Sequence, residues 1–246
     1  MKTTLKLVLF YLLYQLLFGG MMVGLNTIWP ISVATQLGCS LILPAVVMTI
    51  HLVLGKHIQL KQALRPVRMD IMLSGGVCII GAIMCCNALS SLIVLPDWLA
   101  KDFTSLSFNP MGIVGMVIFG PWIEELLFRG AILPALNRGE EDPWRGIWLS
   151  ALVFGLIHIN PVQVFFGFLM GIAFGWVTVQ SRSLLPAIVG HVLNNGLSVI
   201  ELRASASGAT EVGIQSYSIV TLLFLTLLGL GVALMAGRQL EKEVAL

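Results

Sequence analysis

The sequence predicts an all-α polytopic membrane bundle of about eight transmembrane helices. Three observations carry that prediction. Of the 246 residues, 57% are hydrophobic and only 11% are charged, against about 25% charged in soluble domains. Mean hydropathy is +0.95. The apolar residues fall in runs close to the ~20 residues that one bilayer crossing needs. Helices are required because a lipid-exposed chain must satisfy its own backbone hydrogen bonds. A barrel would show alternating segments of about ten residues, whereas these runs are apolar on every side.

The expected spans are 7–28, 31–55, 71–95, 112–136, 146–160, 162–180, 184–201 and 214–236. Residues 1–246 thus form one membrane domain, with no length left for a soluble one. The segment from Met1 to Lys6, followed by an apolar run, has the outline of a signal peptide. The run continues from Leu7 to Trp29 without an Ala-x-Ala site, too long for an h-region of about 7–15 residues. It is read as the first span, kept in the mature protein. The fifth and sixth spans are short and separated only by Asn160-Pro161, as in a tight re-entry or partly sunken helices. Residues 202–213 read as a small-residue outer loop.

Eight crossings put both termini on one side. That side carries Lys2, Lys6, Lys56, Lys61, Arg65, Arg68, Arg138, Arg145, Arg182, Arg238 and Lys242, and the other side only Lys101 and Arg203. The excess of basic residues assigns the termini to the cytoplasm. Trp29, Trp98, Trp144 and Trp148 fall near span ends, as interfacial anchors do. A net charge of +2 gives no basis for nucleic-acid binding. The four cysteines, Cys39, Cys78, Cys85 and Cys86, lie in apolar stretches at spacings that match no zinc or disulfide framework, and read as small buried side chains. Gly167, Gly171 and Gly175 line one helix face and allow close packing inside the bundle.

Charged groups at bilayer depth cost at least ~2.5–3.5 kcal/mol each and are functional candidates by default. Here they are few: Glu124, Glu125 and Arg129 on the fourth span, His158 on the fifth, and His191 with Asn195 on the seventh. His51 and Glu201 sit near span ends, within reach of water. At 1.5 Å per residue, Glu124 and His158 lie roughly 18 Å from the cytoplasmic ends of their helices, Asn195 roughly 16 Å and His191 roughly 10 Å. Three helices therefore bring acid, imidazole and amide to a similar level.

Helical spacing refines the set. His191 and Asn195 are four apart and face the same way, and Glu125 and Arg129 are four apart in good ion-pair order. Glu124 is about 100° round from Glu125. Pairing Glu125 with Arg129 leaves Glu124 as the free carboxylate. With no activated serine or cysteine in view, the set suits activation of water. Glu124 would act as general base and His158 would hold the water or shuttle the proton. His191 and Asn195 would donate to the oxyanion of a tetrahedral intermediate. The substrate would be an amide or ester that reaches the membrane.

Three short motifs, in order on the fourth, fifth and seventh spans, carry a family resemblance: Glu124-Glu125-Leu-Leu-Phe-Arg129, Phe154-Gly-Leu-Ile-His158 and His191-Val-Leu-Asn-Asn195. They resemble the Glu-Glu-x-x-x-Arg, Phe-x-x-x-His and His-x-x-x-Asn signature of the CPBP family, the type II CAAX prenyl endopeptidases and bacteriocin-processing or immunity proteins. The resemblance covers residues 111–200. It implies an eight-helix intramembrane protease that hydrolyses a peptide bond near the cytoplasmic face. Glu124 would be the essential acid, His158, His191 and Asn195 would line the same cavity, and Glu125, Arg129 and Phe154 would support them. The implied partners are a membrane-associated or lipidated peptide and the bilayer, which in a bacterium is the plasma membrane.

The preferred mechanism requires no cofactor, and no His-Glu-x-x-His is present. Glu124, His158 and His191 could nevertheless hold a zinc with an open fourth position. Two other classes compete. A non-catalytic scaffold or bacteriocin-immunity protein would keep its phenotype without Glu124. A proton-coupled transporter would use Glu124 and the histidines as a relay, but such folds carry internal repeats and none is visible.

Overall fold

The computed structural model describes residues 2–138, 141–208 and 218–245, and every described element is a helix or a turn. The long helices are α1 (Lys2–Ile28), α2 (Val33–Leu54), α4 (Met69–Leu92), α6 (Pro110–Leu136), α8 (Pro161–Ser181), α9 (Leu185–Ala206) and α10 (Ile219–Ala245). Between them lie the short α3 (Leu60–Ala63), α5 (Ala100–Ser107) and α7 (Trp144–Leu156). Among the described residues, seven helices are long and apolar enough to cross a membrane. The fifth expected span is the exception: α7 has 13 residues, which at 1.5 Å per residue reach about 20 Å, short of a bilayer core.

Chain punctuation sets the helix ends. Ser32 caps α2 by accepting the Thr35 N–H at 3.2 Å, and Asn109 caps α6 by accepting the Gly112 N–H at 3.1 Å. Both satisfy donors that a helix start leaves unpaired. Pro110, Pro161 and Pro186 stand in the first turns of α6, α8 and α9, where a missing N–H costs nothing. The outer loop expected at 202–213 is shorter at its start: α9 continues to Ala206, with a turn at Ser207–Gly208. Residues 209–213 and the first residues of the last expected span lie outside the described residues.

Two apolar clusters hold the bundle together. One joins α1, α2, α6 and α7 through Leu7, Tyr11, Met48, Leu52, Ile123, Leu127, Phe128 and Phe154. The other joins α4, α8, α9 and α10 through Ile79, Phe174, Val177, Ala187 and Leu240. Helices α4 and α10 meet backbone to backbone at Gly81 and Gly229. A Cβ at Gly81 would stand 2.5 Å from the Ala233 nitrogen, and one at Gly229 would stand 2.6 Å from the Cys85 nitrogen. The α8 glycines pack inside the bundle against α7 as expected: Gly167 faces Gly155, Gly171 faces Ala151 and Gly175 faces Ile147.

Polar ties fix both ends. At one end, the Leu184 N–H donates to the Ala63 carbonyl at 2.8 Å and the Ser183 hydroxyl to the Arg65 carbonyl at 2.8 Å. At the other, the buried Asn160 accepts the Trp98 N–H at 3.0 Å and donates to Asp97 Oδ1 at 2.9 Å. That second tie anchors the loop before α5 to the α7–α8 turn, which follows His158.

Candidate active site

Helix α6 carries the two glutamates, and it is not a plain α-helix. Gly115–Phe119 and Glu125–Ile132 form wide π-helical turns. Pro121 and Pro134 explain their placement. A proline inside a helix lacks the N–H for its own bond, and its ring crowds the carbonyl four residues back. Widening the turn on the N-terminal side of each proline relieves that crowding. Such turns recur at functional sites, and here the second one begins at Glu125.

The structure brings six of the seven expected residues into one cluster. Glu124 Oε2 lies 3.6 Å from His191 Nε2, and Glu124 Oε1 lies 4.0 Å from His158 Nε2. Glu125 is fully buried. Its Oε1 accepts from His191 Nδ1 at 2.8 Å and from Arg129 Nη1 at 3.1 Å. Arg129, 1% exposed, also donates from Nη2 to the Gly171 carbonyl at 3.0 Å, and its guanidinium lies 4.3 Å from the centre of the Phe154 ring. The expected Glu125–Arg129 pair is present, and Glu125 has a second task that helical spacing did not suggest: it orients His191.

These partners fix the imidazole protons. His158 Nδ1 faces the Phe154 carbonyl at 2.8 Å. A carbonyl can only accept, so Nδ1 carries the hydrogen. His191 Nδ1 faces the carboxylate of Glu125 and donates likewise. In the neutral rings both Nε2 atoms are then acceptors, and both point at Glu124. Phe154 presents its edge to His158, with ring centres 5.0 Å apart at 79°. Phe174 stacks on His191 at 4.6 Å and 18°.

Asn195 is placed differently from expectation. It shares the His191 face of α9, but its Nδ2 donates to the Met116 carbonyl at 2.9 Å, and its Oδ1 accepts from Asn194 at 3.1 Å. One Nδ2 hydrogen is thereby committed to α6 and the other stays free to donate. His51 and Glu201, set aside as groups near span ends, stand apart: His51 pairs with the Tyr14 hydroxyl at 2.9 Å, and Glu201 is exposed.

Several neighbours escaped the sequence reading. Phe174 and Gly171 sit in an apolar helix with nothing to distinguish them except the glycine stripe. Tyr11 is buried in the same apolar cluster as Ile123, yet α1 shows no motif. Ile159 adopts φ 61°, a conformation costly for a β-branched residue. It is held there by Asn160, whose buried amide network fixes the turn straight after His158.

The arrangement offers a carboxylate flanked by two ring nitrogens at 3.6 and 4.0 Å, too far for direct hydrogen bonds. A water about 2.8 Å from both atoms of either pair would be held at an angle of about 80–90°, a workable hydrogen-bonding geometry. Among the described residues, no group of three His, Cys, Asp or Glu side chains is disposed to hold a metal.

A stretch of 91 residues is 28% identical to "Putative membrane peptidase YdiL" of Bacillus subtilis (strain 168), covering 37% of this chain and 37% of that protein's own length. No solved structure matches the chain. Residues 106–197 match the family described as "Type II CAAX prenyl endopeptidase Rce1-like". That interval contains Glu124, Glu125, Arg129, Phe154, His158, His191 and Asn195. With seven helices among the described residues long and apolar enough to cross a membrane, the chain is a multi-pass integral membrane protein whose residues 106–197 are similar to the Rce1-like type II CAAX prenyl endopeptidases.

Proposed function

We propose that the protein is an intramembrane endopeptidase in which Glu124 activates a water to hydrolyse a peptide bond of a membrane-associated or lipidated peptide. The observation that carries this reading is the convergence of Glu124 with the Nε2 atoms of His158 and His191, each ring locked through Nδ1. Each carboxylate–imidazole pair brackets a water position, and a water there can donate one hydrogen to Glu124 and the other to the ring nitrogen. Glu124 takes one proton as the water oxygen attacks the scissile carbonyl, while His158 Nε2 holds the other hydrogen and aims the oxygen. The oxyanion accepts from the free Nδ2 hydrogen of Asn195. His191 can donate to it from Nε2 only as the doubly protonated ring, because Nδ1 already donates to Glu125. The proton held by Glu124 then passes to the leaving amine.

This mechanism involves no metal. The cytoplasmic side is assigned to the end of the bundle with Lys61, Arg65 and Arg182, on the excess of basic residues there, and both termini are assigned to it. A scissile bond reached from that side suits a peptide whose apolar or lipidated end stays in the bilayer.

The test is cleavage of a panel of membrane-anchored peptides, with and without a lipid modification, by the protein in liposomes. Cleavage that persists in excess chelator is expected. Chelator-sensitive cleavage restored by zinc would overturn the metal-free mechanism, and no cleavage across the panel would overturn the peptidase assignment.

A further inference from the structure

The bond between Asn195 and the Met116 carbonyl has a cause in the sequence of α6. In the first wide turn the Gly120 N–H donates five residues back to the Gly115 carbonyl. One residue further on, the donor in register for the Met116 carbonyl is residue 121. That residue is proline and has no N–H. A carbonyl without a donor at membrane depth is costly, and Met116 is buried. The donor comes from another helix: Asn195 Nδ2, at 2.9 Å.

We propose that Pro121 is a positioning residue for Asn195. By withholding a backbone hydrogen it reserves the Met116 carbonyl for the Asn195 amide. It thereby fixes α9 against α6 and sets the direction of the remaining Nδ2 hydrogen. The inference rests on the hydrolytic reading for its catalytic consequence, but the hydrogen bond itself can be tested without activity.

Two versions of residue 121 separate the hydrogen from the ring. Pro121→Ala supplies an N–H that can claim the Met116 carbonyl. The α-hydroxy analogue of alanine at 121, which makes an ester in the backbone, has the same side chain and no N–H. Loss of the ring affects both equally, so only their difference counts. With asparagine labelled in its side-chain nitrogen, and the Asn195 signal identified by its disappearance in Asn195→Ala, the wild type should show one exchange-protected Nδ2 hydrogen. Pro121→Ala should lose the protection and the ester form should keep it. In cleavage, Pro121→Ala should lower kcat towards the roughly hundredfold loss expected on removing an oxyanion donor, with KM little changed. The ester form should recover most of kcat, and Pro121→Ala should add little to Asn195→Ala.

An Asn195 amide with two freely exchanging hydrogens in the wild type would overturn the proposal even if neither variant folds. So would equal protection in both variants. Inactivity of the wild type with the protection pattern intact would overturn the peptidase reading and leave the positioning bond standing.

Discussion

Arg129→Met is the most informative perturbation of the buried charge set. The side chains of Arg129 and Glu125 are both 0% exposed and 3.1 Å apart. Removing the guanidinium leaves the Glu125 carboxylate with only His191 Nδ1, and leaves the Gly171 carbonyl without its 3.0 Å donor. Breaking a buried ion pair by deleting one partner costs about 3–5 kcal/mol. Glu125→Gln in the same chain removes the stranded charge while its amide oxygen can still accept from His191. The double variant should therefore regain at least about 2 kcal/mol, since much of the single-variant loss is the uncompensated charge. Reversible unfolding in mixed micelles, followed by circular dichroism, measures both. A loss below about 1 kcal/mol, the size of an ordinary substitution, would refute the argument, as would a double variant no more stable than the single. Glu125 Oε2 and Arg129 Nε are buried without hydrogen-bond partners among the described residues. This cluster is therefore not arranged for stability alone.

Other expectations follow from the packing around the site. Gly155→Ala should destabilise by about 1–3 kcal/mol, the usual penalty of overpacking. Its Cβ would stand 2.6 Å from the Val164 carbonyl oxygen and would force α7 from α8; unfolding measurements check this against Gly76→Ala, which meets nothing within 4 Å and should be neutral or slightly stabilising. Asn160→Ala should free the 97–98 loop and let Ile159 leave its positive φ. The cleavage rate should fall through the loss of His158 alignment, with faster hydrogen exchange confined to the Trp98 and Val162 amides.

Much of this was legible in the sequence, because hydropathy and spacing are local signals. Seven spans and the short apolar helix between them follow from run length, and six site residues converge as their depth and helical phase suggested. What could not be read depends on partners distant in sequence. Phe174 matters only because α8 carries it over His191. Asn195 could be given a face but not a hydrogen-bond acceptor, since that acceptor is freed by a proline 74 positions earlier. Pro121 and Pro134 were visible inside a span, yet they are as compatible with a kink as with a widened turn. Both carboxylates reach the same imidazole, Glu124 at Nε2 and Glu125 at Nδ1 of His191, a convergence that spacing along one helix does not reveal. The short α7 ends at Leu156 because the chain must turn at Ile159–Asn160, a turn enforced by Asp97 and Trp98 from another loop.

The central claim is that Glu124 is the base that activates water. It is tested most directly by comparing wild type with Glu124→Gln in liposomes on one cleaved membrane-anchored peptide. Glutamine preserves size and hydrogen bonding but cannot take the proton. Turnover should fall by about 10²–10⁴-fold, the usual contribution of a general base, with thermal stability and peptide binding unchanged. A glutamine variant that cleaves within about tenfold of wild type, well inside that contribution, would contradict the account.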